Sequence, residues 1–181
     1  MSGSEHVINC LVAACSPEAM AQPVFLFWAY MSLTVRTFLL GGLFYAVLWQ
    51  DLSATVALGG GALVAAFGYA LKALIGHERQ FEACGLGHAM PSMHALVTVY
   101  FASYYGLCFW RYSQWTWPVL IYRISAVAVY AALVCVSRVQ LGAGDVLEVV
   151  VGAILGFNFA LMLLHALTHV SRRAIPGVKE D

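Results

Sequence analysis

Residues 137–148 read SRVQLGAGDVLE and sit between two long apolar runs. Arg138, Asp145 and Glu148 therefore fall at or inside a membrane, where ionisable groups are costly and usually mark a site or a pathway. Two other stretches carry chemistry of a matching kind. In KALIGHER, Lys72 and Arg79 stand seven residues apart, nearly two helical turns, so both cations can lie on one side of a helix end about 10 Å apart. In PSMH, Ser92 and His94 open the third apolar run. Lys72, Arg79 and Arg138 supply permanent positive charge, Ser92 a hydroxyl and His94 a titratable imidazole. That set suits a phosphate or diphosphate, because an arginine fork grips two oxygens and a lysine acts as a point charge. His94 can protonate a leaving oxygen. Taken singly, each residue has a plainer use: cations at helix ends snorkel, and a serine before a helix caps it. The case for a site rests on their combination on one face.

The elements that must hold these groups are membrane spans. Of the 181 residues, 62% are hydrophobic and only 10% charged, where a soluble domain carries about 25% charge. The expected fold is all-α, an integral membrane helical bundle of about five transmembrane helices. The apolar runs fall at about 27–49, 53–76, 93–110, 118–136 and 146–170, each near the ~20 residues needed to cross a bilayer. The expected organisation is an N-terminal extension over 1–23, a membrane-embedded domain over 24–170 and a cytoplasmic tail over 171–181. The first 23 residues hold no Lys or Arg, so they do not read as a cleaved signal peptide despite the run INCLVAAC. The strings LGGGALVAAFG and GAILG would let helices approach closely. Zero net charge and no basic tract argue against a nucleic-acid partner. The cysteines at 10, 15, 84, 108 and 135 show no zinc spacing; Cys108 and Cys135 read as small core residues.

Five spans put alternate connections on alternate faces. The 72–92 loop and the 137–145 turn share one face with the N-terminus. Trp49, Trp110, Trp115 and Trp117 fall on the other, as an interfacial belt does, together with Arg111, Arg172, Arg173 and Lys179, and Arg123 within snorkelling reach. With Lys72, Arg79 and Arg138 committed to a site, the remaining positive charge is lopsided. The second face is then expected to be cytoplasmic and the site to look outward. Arg36, near the outward face, packs, snorkels or meets a lipid headgroup.

In order, Lys-x6-Arg, then Pro-Ser-x-His, then Ser-Arg followed by an acid resembles the three-part signature of the type-2 phosphatidate phosphatase/haloperoxidase superfamily. Within it, the chain looks most like the dolichyldiphosphatase branch. The residues that carry the likeness are Lys72 and Arg79, Pro91, Ser92 and His94, and Ser137 and Arg138, with DLSATVALGGGALVAAFGYALKALIGHER, MPSMHALVTVYFASYY and LVCVSRVQL around them. It spans about residues 28 to 165. The resemblance implies that Lys72, Arg79, Ser92 and Arg138 hold phosphoryl oxygens, that His94 protonates the leaving group, and that no metal or other cofactor takes part. It further implies a histidine five residues past the Ser-Arg pair that attacks phosphorus, and an acid four residues beyond that orients it.

The acid position is Glu148, but the nucleophile position is Gly144, and Gln80 stands where the family usually has proline. Loss of a nucleophile costs roughly six orders of magnitude in turnover in the serine-protease case. His88, in the loop beside the cradle, is the candidate substitute nucleophile. His165 and His169 lie 17 and 21 residues past Glu148, on the wrong face. Direct attack by a water oriented by Glu148 is a further route, and an Asp145–Glu148 metal site a thinner one. The expected function is a membrane lipid phosphatase that hydrolyses a polyisoprenoid, dolichyl-type diphosphate to the monophosphate. The expected setting is the endoplasmic reticulum, with the motifs facing the lumen and membrane lipids as partners. The alternative is a catalytically impaired lipid-phosphate-binding protein, because of Gly144. A helical transporter or haem protein would need histidines paired across facing spans, which His165 and His169 do not offer.

Overall fold

The computed structural model describes residues 23–75, 90–112, 114–141 and 144–174. Within them the chain forms five helices and no strand: α1 Pro23–Trp49, α2 Leu52–Ile75, α3 Met93–Tyr112, α4 Trp117–Gln140 and α5 Val146–Ala174. The five apolar runs thus become five helices in an integral membrane bundle. By length and composition α1, α2, α4 and α5 can each cross a bilayer. The remaining helix, α3, is more polar, with His94, Thr98, Ser103, four tyrosines and Arg111 among its residues. Its polarity fits its place: α3 packs against α5, α4 and α2, and more lightly against α1. A helix sheltered by apolar neighbours need not present an apolar surface to lipid.

Local signals set the helix ends. Gln50 takes the left-handed conformation, φ 50°, between α1 and α2. Asp51 then caps α2, its Oδ1 accepting from the backbone N–H of Ser53 at 2.8 Å and of Ala54 at 3.3 Å. Thr116 and Pro118 start α4, proline being tolerated in a first turn because its missing N–H would have no helical partner. α4 runs on to Gln140, four residues past the sequence-based end at 136. Ser137 and Arg138 are therefore in its last turn rather than in a connecting stretch. The Ser137 hydroxyl turns back to the Val134 carbonyl at 2.6 Å, which lets a buried polar residue end an apolar helix without an unmet donor.

Glycine decides how close α3 lies to its neighbours. A Cβ on Gly152 would stand 2.7 Å from the Ser92 carbonyl oxygen, and one on Gly156 would collide with the backbone of Leu96 and Tyr100. On the other side of α3, a Cβ on Gly60 would collide with the Tyr100 hydroxyl, and one on Gly61 or Gly68 would meet Phe101 or Met93 and Leu96. Both small-residue strings thus face the same helix. Their close approach buries Ala57, Val64, Leu96, Tyr100, Tyr104 and Ala160 as the core. The Tyr100 hydroxyl donates to the Ala57 carbonyl at 3.1 Å, satisfying a polar group that has no water to turn to. α1 packs on α4 and α2, with a Thr34–Tyr130 hydroxyl contact at 3.0 Å and an edge-on Phe38–Tyr130 pair.

Four of the five tryptophans gather at the end where α1, α3 and the α3–α4 connection meet, Trp28 lying towards the other end of α1. Trp49, Trp110, Trp115 and Trp117 are all exposed. Trp49 stacks on Tyr45, and Trp110 meets Trp117 edge-on. The Arg123 guanidinium lies over the Trp115 face, 3.4 Å from the ring centroid, a cation–π contact that holds a charge near a membrane surface.

Because the obstacle is backbone, Gly156→Ala should lower stability by about 1–3 kcal/mol. Gly59, beside which a Cβ meets nothing within 4 Å, supplies the control. Gly59→Ala should shift stability by no more than about 1 kcal/mol, the helix-propensity difference. Unfolding of both purified variants in detergent checks the contrast.

Candidate functional site

The bundle brings the separate motifs to one end. Glycine contacts set the register. Gly68 lies against Met93 and Leu96, so Lys72, one turn further along the same face of α2, lies level with the start of α3. Lys72 is in the last turn of α2 and half-buried. Gly152 lies against Ser92 and Ala95, so Glu148, one turn earlier on α5, faces the residues that lead into α3. A backbone bond fixes this junction: the Ser92 N–H donates to the Glu148 carbonyl at 3.2 Å. The Ser92 carbonyl in turn accepts from Leu96 at 2.9 Å, opening α3. Ser92 and Glu148 are both buried, each 6% exposed, and His94 is half-buried in the first turn of α3.

Arg138 comes to the same end on α4. In the last turn of α4 it is half-buried, and its Nη1 donates to the Ser32 hydroxyl of α1 at 2.9 Å. Ser32 has no motif around it and lies 106 residues away in sequence. Nothing local to either residue signals the pairing, which comes from α1 packing antiparallel to α4. Arg36, one turn deeper on α1, is exposed. Arg79, His77, His88 and Gln80 lie outside the described residues, as do Cys10, Cys15 and Cys84.

At the centre is the pairing of Gly144 with Glu148. A Cβ on Gly144 would sit 3.0 Å from Glu148 Oε2, with no other contact within 4 Å among the described residues. That oxygen is buried and accepts no hydrogen bond from any described residue. Position 144 therefore faces the acid, as the i,i+4 relation requires, although α5 itself begins only at Val146. The backbone of Gly144 is not left-handed, so glycine is not needed there for a turn. A buried carboxylate oxygen normally has a donor, and one without is costly. Glu148 is thus set to receive an N–H or O–H from the direction of residue 144.

Asp145 does not join it. Its side chain is exposed, while its carbonyl accepts from Val149 at 3.1 Å and starts α5. No group of three or more His, Cys, Asp or Glu side chains comes together among the described residues. His165 and His169 touch each other edge-on, ring centroids 4.7 Å apart, and both are exposed. They lie on one helix, not across facing spans. Cys108 and Cys135 are half-buried in α3 and α4 as free thiols.

No protein-family model, curated protein or solved structure matches this chain.

A side chain at 144 should fit the fold. Gly144→Ala and Gly144→His should both remain folded, with stability within about 1 kcal/mol of the parent, because the only close neighbour among the described residues is the end of a flexible side chain. Gly152→Ala should be markedly less stable, since its Cβ meets a backbone carbonyl. Thermal unfolding of the three variants side by side measures the difference.

Proposed function

We propose that this protein is a membrane lipid phosphatase of the polyisoprenoid diphosphate type, hydrolysing a dolichyl-like diphosphate to the monophosphate and inorganic phosphate. The observation that carries the reading is the convergence of Lys72, Ser92, His94, Arg138 and Glu148, from four helices, on one end of the bundle. Cations at the mouth of an apolar bundle suit a ligand whose head is an anion and whose tail stays in lipid. In this reading Lys72, Arg138 and, from outside the described residues, Arg79 neutralise the diphosphate oxygens. Ser92 donates to one of them. His94 protonates the bridging oxygen as the terminal phosphorus is displaced. The chemistry asks for no metal.

Gly144 favours a second reading. With no histidine opposite Glu148, the same cradle would bind a lipid diphosphate without turning it over. His88, outside the described residues, is the side chain that would restore covalent chemistry. The two readings share the binding step and differ only in turnover.

For placement we propose the endoplasmic reticulum membrane, with the phosphate-binding end towards the lumen. The exposed tryptophans at the other end, with Arg111 and Arg123, support a cytoplasmic interface there.

Charge-assisted contacts are worth about 1.5–3 kcal/mol each. Arg138→Ala and Lys72→Ala should each weaken binding of dolichyl diphosphate about tenfold or more. Unchanged affinity in both would remove the cradle. Phosphate release by the purified protein, the same with and without a chelator, separates the enzyme from the binding protein. For orientation, a cysteine replacing Gln114 should react with an impermeant thiol reagent only from the cytoplasmic side; labelling from the lumen would reverse the placement.

A further inference from the structure

We propose that Glu148 is the general base of a direct, single-step hydrolysis, activating a water held in the space that Gly144 leaves beside its carboxylate. This rests on the phosphatase reading. It replaces the covalent phosphohistidine route that the resemblance implies with chemistry built from this chain's own residues.

Three observations carry it. Glu148 is nine-tenths buried, and its Oε2 accepts no hydrogen bond from any described residue. The point where a Cβ of residue 144 would stand is 3.0 Å from that oxygen and touches nothing else within 4 Å among the described residues. The Ser92 N–H holds the Glu148 backbone carbonyl at 3.2 Å, so the acid is locked beside the motif that precedes His94. A buried acid, a position beside it that no other described residue fills, and an acid–base imidazole two residues past Ser92 are the parts that water attack needs. Glycosidases use the same logic: the enzymes that leave room for a water between acid and substrate displace once, and those that do not displace twice through a covalent intermediate.

The step balances without a co-reactant. The water oxygen forms a bond to the terminal phosphorus while Glu148 takes one of its protons. The bridging P–O bond breaks, and its electron pair goes to the lipid monophosphate oxygen, which His94 protonates. Glu148 then passes its proton to solvent, and His94 is reprotonated. The products are inorganic phosphate and the lipid monophosphate. Glu148 thus touches the attacking water and is a catalytic residue, where a histidine at 144 would have made it a positioning residue.

Stereochemistry separates the routes, since one in-line displacement inverts phosphorus and two retain it. The probe is dolichyl diphosphate made chiral at its terminal phosphorus with sulfur and oxygen isotopes, turned over by the full-length protein in isotopically labelled water. Parallel samples are quenched in alkali, where phosphohistidine survives. The natural protein should give inversion and no phosphoprotein. Glu148→Gln should lower kcat at least a hundredfold with little change in the affinity for dolichyl diphosphate. Gly144→His should form an alkali-stable phosphoprotein and switch the outcome to retention. Retention, a phosphoprotein in the natural protein, or undiminished kcat in Glu148→Gln would overturn the water route while leaving the phosphatase reading intact. Bound lipid with no phosphate release would remove the phosphatase reading and the inference with it.

Discussion

The whole arrangement depends on how closely α5 lies against α3. Gly152 and Gly156 let the two backbones approach to a distance that any side chain would prevent. In a bilayer, where lipid competes for every apolar contact, close backbone packing of small residues is one of the few sources of helix specificity. Here it does more than join two helices. It fixes their register, and the register brings Glu148 level with Ser92. The Ser92–Glu148 backbone bond is a consequence of that register.

The same contact explains the burial of a carboxylate at the membrane edge. Glu148 is one helical turn from Gly152, so it cannot leave the junction without breaking the packing of α5. A carboxyl group in such a place is expensive, and an oxygen that accepts no hydrogen bond from any described residue adds to the cost. Arg138 is held in a comparable way from the far side, through Ser32 of α1. The site is therefore framed by two helix pairs, α3 with α5 and α1 with α4. α3 can be the more polar helix because the other four pack around it.

Several features were legible locally. Ser137 and Arg138 were expected between helices because the apolar run stops at 136. Yet Ser137 completes a helical turn by bonding back to Val134, a route open to serine that hydropathy does not register. The glycine strings were readable as close-packing surfaces, but not the fact that both address α3. Ser32 carried no signal at all, since its importance lies in a partner 106 residues away. The pairing of position 144 with Glu148 was legible from helical spacing, and the 3.0 Å separation bears that spacing out.

The sequence by itself determined the helical membrane class, the approximate positions of the five helices and the polar and ionisable residues near their ends. Each of these follows from composition, from the length of apolar runs or from side-chain chemistry, all of which are local. That Lys72, Ser92, Arg138 and Glu148 share one end already follows from the alternation of spans; only the tertiary structure decided that Ser92 bonds to the Glu148 backbone, that Arg138 meets Ser32, that Glu148 is buried with an oxygen met by no described residue, and that the backbone at Gly144 would accept a side chain. Those facts depend on which helices touch and in what register. Register between helices is set by complementary surfaces on segments far apart in the chain, so no single segment encodes it.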